Sequence, residues 1–172
     1  MTRKILNNED IILSANQKKA YDILVANCEY SIRRGTICIV GDFLSGKTTL
    51  VKYFLSEMFG DIDKYYINVN KLLLERLREE KTDFAIMSKI KAKTRLIMSV
   101  ALEETIEKHF IKEDILVLDA IEIIYPYNFD IISLVSRYTR DGKICIVCVP
   151  ENDNFSFNFS WGNSYIIRLD HK

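Results

Sequence analysis

Apolar residues recur along this chain in two rhythms. The first is a short unbroken run, seen in TICIV (36–40), KYYINV (64–69), ILVLD (115–119), KICIVCV (143–149) and SYIIRL (164–169). Runs this short, rich in β-branched and aromatic side chains, predict strands buried on both faces. The second rhythm is helical. Ala20, Leu24, Cys28 and Ile32 stand four apart behind Ser14-Ala-Asn-Gln17, a capping box in which each side chain satisfies the other residue's backbone N–H. Gly35 predicts the stop of that helix. TTLVKYFLSEMF (48–59) predicts a second helix reaching Gly60, and residues 71–110 predict mostly helix with a break near Thr82 and Asp83. Asp130 predicts the N-cap of a helix ending at Gly142. Strands alternating with helices predict a mainly parallel sheet in a three-layer α/β sandwich.

No repeat, low-complexity tract or Pro/Gly-rich linker interrupts the 172 residues, which predict a single domain. A helical segment occupies 1–34 and an αβ core 35–170. Basic and acidic side chains number 24 each, so no global charge drives the chain onto nucleic acid or anionic membrane. No apolar run approaches the length that spans a bilayer. MTRKILNNED lacks the apolar stretch of a signal peptide, so the expected setting is cytoplasmic. Cys145 and Cys148 form a C-x-x-C, but three positions along a strand point to opposite faces, and the two thiols are expected to be buried apart. His109 and His171 have no metal-ligand spacing around them.

The chemistry enters at GDFLSGKT (41–48), which matches G-x-x-x-x-G-K-[ST] between an expected strand and an expected helix. The glycines let the backbone N–H groups of the loop wrap a phosphate through conformations that a Cβ obstructs. Gly41, Asp42, Phe43, Leu44, Ser45, Gly46, Lys47, Thr48 and Thr49 are thus the expected ATP-binding residues. Lys47 sets a point charge against the β and γ phosphates, and the helix N-terminus adds its partial positive charge. Thr48 and Asp119, which ends ILVLD, are the expected Mg²⁺ residues. A polar strand end is the alternative reading of Asp119.

A GTPase is expected to carry D-x-x-G and N-K-x-D. Asp119 instead begins D-A-I-E, and Asn70-Lys71 runs into three leucines. A small-molecule kinase usually has an arginine-rich lid, for which Arg137 and Arg140 are the available candidates. An intervening strand between the phosphate-loop and aspartate strands suits the ATPase branch, with an AAA+/ASCE-like core. There a further strand ends in a polar sensor, and KICIVCV runs into Pro150-Glu151-Asn152. The chain stops after SYIIRLDHK, which predicts no C-terminal helical lid.

Enzymes of this kind often place a glutamate directly after the aspartate. Here that position is Ala120, and the nearest glutamate is Glu122. Glu122 reaches the attacking water if the chain turns after residue 119; otherwise it is a surface carboxylate. The expected catalytic set is Lys47, Asp119 and Glu122, with slow hydrolysis.

YYINVNKLLLERL, ILVLDAIEIIY and the strand running into VCVPE resemble BrxF, the small P-loop protein of type-3 BREX phage-defence systems. Members of that family tend to show "NVN" and "LLDNIELLF" at these places, and the resemblance covers roughly residues 35–152. It implies a cytoplasmic ATPase-type subunit working beside a methyltransferase, a helicase or large ATPase partners. Gly41, Gly46, Lys47, Thr48, Asp119 and Glu122 carry over by motif position. Ala120 stands where the family has asparagine.

Three weaker features complete the reading. Lys89, Lys91, Lys93 and Arg95 spread their charges around a helix and predict a solvated surface more readily than a nucleic-acid patch, so nucleic acid is expected only within a complex. Phe155, Phe157, Phe159 and Trp161 form a stripe on one side of an extended segment, expected to pack on the core or to dock a partner. Arg137 and Arg140 are either ordinary helix-end charges or fingers supplied to a neighbour in an ATP-dependent homo-oligomer. Three functions remain open: a nucleotide-switched ATPase subunit, a nucleotide-stabilised scaffold that never turns over, and a small-molecule kinase.

Overall fold

The computed structural model describes residues 11–29, 35–80 and 90–169. Its first helix, α1 (Ala15–Glu29), opens on the expected capping box: Ser14 N–H donates to Gln17 Oε1 at 2.8 Å and Gln17 N–H to Ser14 Oγ at 3.3 Å. Ala20, Leu24 and Cys28 are buried on its inner face. Ile32 and the expected link to Gly35 lie outside the described residues. Gly35 is also required by close approach, since a Cβ there would stand 2.2 Å from the Thr139 carbonyl oxygen.

Five strands follow: β1 (Thr36–Gly41), β2 (Tyr66–Asn68), β3 (Ile115–Asp119), β4 (Ile144–Pro150) and β5 (Tyr165–Leu169). Their order across the sheet is β2-β3-β4-β1-β5, and every pairing is parallel. Strand parity then divides the core. Ile37, Ile39, Val117, Ile146 and Cys148 face α1 and α2 (Lys47–Phe59). Cys38, Val40, Leu116, Leu118, Cys145 and Val147 face α4 (Val69–Glu79), α5 (Lys91–Phe110) and α6 (Ile131–Ser136). Cys145 and Cys148 thus sit on opposite faces of the sheet, and burial pushes both thiols well up.

Two elements are shorter than the apolar pattern predicts. In KYYINV only three residues are strand. Asp61 accepts from Lys64 N–H and starts the single turn α3 (Ile62–Tyr65), while Asn68 accepts from Lys71 N–H and starts α4. Side-chain capping claims both ends of the run. Asp130 does cap α6, accepting from Ser133 N–H, but the helix stops at Ser136 instead of near Gly142, and its last turn closes on the Val135 carbonyl, which accepts from both Tyr138 and Thr139. The expected break near Thr82 and Asp83 lies outside the described residues, as do Lys89 and His171. Lys91, Lys93 and Arg95 are exposed.

The aromatic stripe packs inward. Phe157 stacks on Phe159 at 4.7 Å, Trp161 meets Phe159 at 5.6 Å, and Phe157 and Phe159 are buried in the α4–α6 core. Phe157→Ala is therefore expected to lower unfolding free energy by about 3 kcal/mol in chemical denaturation; a loss below about 0.5 kcal/mol, ordinary for a surface residue, would return the stripe to the docking reading. Among the described residues no helix is long and apolar enough to cross a membrane.

Candidate functional site

Because all five strands are parallel, their C-terminal ends share one edge, the place where open α/β sheets build sites. Gly41 ends β1 and Asp119 ends β3 there, with β4 between them. Gly41 is set by close approach: a Cβ would stand 2.5 Å from the Leu169 carbonyl oxygen of β5. Gly46 caps α2 with φ 86°, a left-handed conformation that glycine adopts without strain. The capping glutamine of α1 reaches over to it, and Gln17 Nε2 donates to the Gly46 carbonyl at 3.2 Å. At the loop tip Leu44 has φ 62° and is 97% exposed.

Lys47 opens α2 and is buried, and its ammonium donates to Gly41 O at 2.9 Å, Asp42 O at 2.6 Å and Ser45 Oγ at 3.2 Å. All three acceptors are neutral. Burial pulls the ammonium below the ordinary lysine range; the nearby Cys148, Asp119, Glu122 and Asp42 act in the opposite direction. The N-cap residue of α2 is Gly46, which has no side chain to cap the first N–H groups of the helix. A partly desolvated cation beside an uncapped helix N-terminus is a seat for an anion.

Next to it is a pair of hard oxygens. Thr48 Oγ1 donates to Asp119 Oδ2 at 2.6 Å. Tyr66 OH donates to the same oxygen at 2.8 Å, and Ala120 N–H fills Oδ1 at 2.8 Å. Burial, followed by the Asp119 charge, pushes the Tyr66 phenol up, so it stays a proton donor at any physiological pH. A hydroxyl and a carboxylate suit Mg²⁺, which takes few protein ligands and completes its shell with water and phosphate oxygens. Among the described residues no cluster of three or more His, Cys, Asp or Glu offers a different metal site. His109 is occupied with the Ile115 carbonyl at 2.6 Å.

The chain turns directly after Asp119, as a role for Glu122 requires. Ala120 has φ 54°, and a 3₁₀ helix begins at Glu122 and runs to Tyr127. Asn70 governs this turn from across the sheet edge. Its amide nitrogen donates to Glu122 Oε2 at 2.8 Å, its amide oxygen accepts from Ile123 N–H at 2.8 Å, and its backbone N–H meets Ala120 O at 2.8 Å. Glu122 therefore faces the site while tied to a neighbour. The polar end of β4 also reaches the loop. Asn152 Nδ2 donates to Asp42 Oδ1 at 3.0 Å, and Glu151 N–H donates to Gly41 O at 2.9 Å, but the Glu151 carboxylate is taken by Arg168 at 3.0 Å.

The expected loop residues, Asp119 and Glu122 thus share one edge, with Thr49 exposed on the first turn of α2. Arg137 and Arg140 do not join them. The chain runs from the end of β3 through α6 back to the start of β4, leaving Arg137 paired with Glu103 at 2.8 Å and Arg140 lining a cavity with Gly35 and Thr36 below β1. Sequence reasoning missed Gln17, Tyr66 and Asn70 as site residues, although Asn70 ends the NVN signature.

No family model matches the sequence, and neither does any curated protein. Solved structures do match in fold. Domain III of the Thermotoga maritima replication initiation protein DnaA superposes with a TM-score of 0.57 at 17% identity, covering 95% of this chain and 66% of that one. PCH-2 of C. elegans gives a TM-score of 0.52 at 14% identity, covering 94% of this chain and 44% of its own. The chain spans just under two thirds of the first and under half of the second. The fold is that of the P-loop NTPases, with an AAA+-like parallel sheet.

Proposed function

We propose that this protein is a Mg-ATP-binding P-loop ATPase of low intrinsic turnover, acting as a nucleotide-dependent switch or assembly factor in a bacterial anti-phage system of BREX type. One observation carries the nucleotide reading: Lys47 rests on neutral oxygens beside an uncapped helix N-terminus, next to the Thr48–Asp119 pair. A polyphosphate supplies the direct anionic partner that Lys47 lacks, and Gly41 to Thr48 wrap it. Thr48 and Asp119 would hold Mg²⁺, which when bound neutralises phosphate charge. ATP is favoured over GTP because no N-K-x-D motif is present. Low turnover follows from Ala120, and from Glu122 being held by Asn70. Calorimetric titration with Mg-ATP and a phosphate-release assay test the two halves separately.

The defence role rests on the BrxF resemblance, and the geometry gives its NVN signature a physical content: Asn68 caps α4, Val69 is buried and Asn70 holds Glu122. The partners it implies are a methyltransferase, a helicase or a large ATPase subunit. Loss of phage protection on replacing Lys47 in the intact system would support it; full protection would not. A scaffold that never hydrolyses is the second reading, favoured by the same Asn70–Glu122 contact. It predicts that Mg-ATP raises the melting temperature with no phosphate released.

Arginine supplied in trans is part of the proposal. Arg140 lies at the start of β1, and six strand residues separate the sheet edges by about 20 Å, so within one chain it cannot reach a γ-phosphate. A neighbouring copy could present it. Reversing charge at Arg137 and Arg140 together is expected to abolish ATP-dependent association in light scattering while monomer ATP affinity stays within about twofold. The Arg137–Glu103 pair it breaks is exposed and worth about 1 kcal/mol or less. Scattering that shows a monomer with and without Mg-ATP, together with unchanged turnover in the double variant, would leave only a foreign partner.

A further inference from the structure

One ring touches both the phosphate loop and the helix that carries Glu122. After β4 the chain closes a tight turn: Asn152 N–H donates to Phe155 O at 2.9 Å, Phe155 N–H to Asn152 O at 3.2 Å, and Asn154 N–H to Asn152 Oδ1 at 2.9 Å. This turn is fixed against the loop. Asn152 Nδ2 donates to Asp42 Oδ1, which also accepts from Phe43 N–H at 2.7 Å. Phe155 therefore has a defined position. Its ring meets the edge of Phe43 at 5.2 Å and stacks on Tyr125 at 4.2 Å, with planes 29° apart.

Tyr125 matters because of where it stands. It follows Glu122 by three residues in the 3₁₀ helix, and a helix with three residues per turn puts positions i and i+3 on one face. The contacts of the Tyr125 ring therefore act on the same face of the 3₁₀ helix that presents Glu122, alongside the hold of Asn70 on Glu122 and Ile123. A separate path runs from Asp119 through the Ala120 turn and Asn70 to the Glu122 carboxylate; the rings reach the helix from the phosphate loop instead. Phe43 and Tyr125 are 40% and 42% exposed, more open than rings placed only to fill a core. The three rings form a bridge between two parts of the candidate site: the loop expected to receive phosphate and the helix end that carries Glu122.

We propose that Phe155 is a positioning residue for nucleotide turnover, coupling the state of the phosphate loop to the orientation of Glu122. The inference rests on the nucleotide-binding reading and on Glu122 as the water-positioning group. Phe155 acts through Phe43 on one side and Tyr125 on the other. Phosphate entering the loop reorders Asp42 and Phe43, Phe155 follows through both contacts, and Tyr125 carries the shift to the Glu122 face. Nucleotide affinity, set by Lys47 and the loop backbone, depends little on it.

The test compares Phe155→Ala, Phe155→Leu and Phe155→Tyr with wild type by amide hydrogen exchange and turnover, with and without Mg-ATP. In wild type, nucleotide is expected to slow exchange both in 42–46 and at the Ile123 and Ile124 amides. In F155A the loop protection stays and the second is lost, while kcat falls about tenfold and ATP affinity moves less than about threefold. F155Y, which keeps the ring, restores both readouts; F155L, which keeps apolar volume without a ring, does not. F155L behaving as wild type would overturn the proposal, as would nucleotide protection confined to the loop in wild type. Should F155A fail to fold, F155L and F155Y carry the same comparison. Absence of protection in the loop itself would overturn the nucleotide-binding reading, and the coupling with it.

Discussion

Replacing Lys47 with alanine is expected to weaken Mg-ATP binding by about a hundredfold or more while the protein stays folded. Each hydrogen bond from a charged donor contributes about 1.5–3 kcal/mol, and phosphate would receive more than one from this ammonium. In the nucleotide-free chain the same ammonium contributes little, because burial penalises its charge and its partners are neutral oxygens. Its removal deletes that penalty along with the contacts, so the melting temperature should barely move. Unchanged calorimetric affinity in a folded variant would overturn the site assignment. The pH dependence has a definite sign. Lys47 binds its proton less tightly in the folded chain than in the unfolded one. Its cost to stability is full below the folded pKa and is relieved as pH rises toward the ordinary lysine value. Nucleotide affinity runs the other way, falling as pH rises through the lowered pKa, since phosphate needs the ammonium charged.

The parts of this molecule that could be read from sequence are those set by local chemistry. A continuous apolar run such as ICIVCV is short and β-branched enough to read as a doubly covered strand, and the phosphate loop is punctuated by Gly41 and Gly46, each with a steric reason visible in the structure. Local signals also misled where two competed. KYYINV reads as a strand throughout, yet Asp61 and Asn68 cap helices at both of its ends and leave three residues for the sheet. What sequence could not show are the partners brought together by strand register. Asn70 and Glu122 lie 52 positions apart, Tyr66 and Asp119 53, and Gln17 and Gly46 29. Parallel pairing of Asn68 with Asp119 puts the residues after each side by side, and no spacing rule in one dimension contains that fact. The direction of α6 is a similar case. Only the crossover topology shows that Arg137 and Arg140 end at the edge away from the loop.

Glu122→Gln is expected to keep ATP bound and to lower turnover by two to three orders of magnitude, within the usual range for losing a positioned proton acceptor. Glutamine preserves size and can still accept from Asn70 through its amide oxygen, so the 3₁₀ helix and the Ile123 contact survive and the loss reports on chemistry. Placing a glutamate at the residue after Asp119 is not expected to compensate. Ala120 sits at φ 54°, a left-handed strain of about 1–2 kcal/mol that alanine already bears and glutamate would share, and its N–H holds Asp119 Oδ1. A carboxylate there leaves along the turn, away from the line a straight strand would give it. Ala120→Glu should therefore not raise the rate. Single-turnover phosphate release at saturating Mg-ATP, beside the affinity of each variant, separates these outcomes. If Glu122→Gln hydrolyses as fast as wild type, the water is positioned elsewhere. The next carboxylate at this edge is Glu151, which would first have to give up its 3.0 Å pairing with Arg168; Glu151→Gln would then show the loss, and Arg168→Ala a gain.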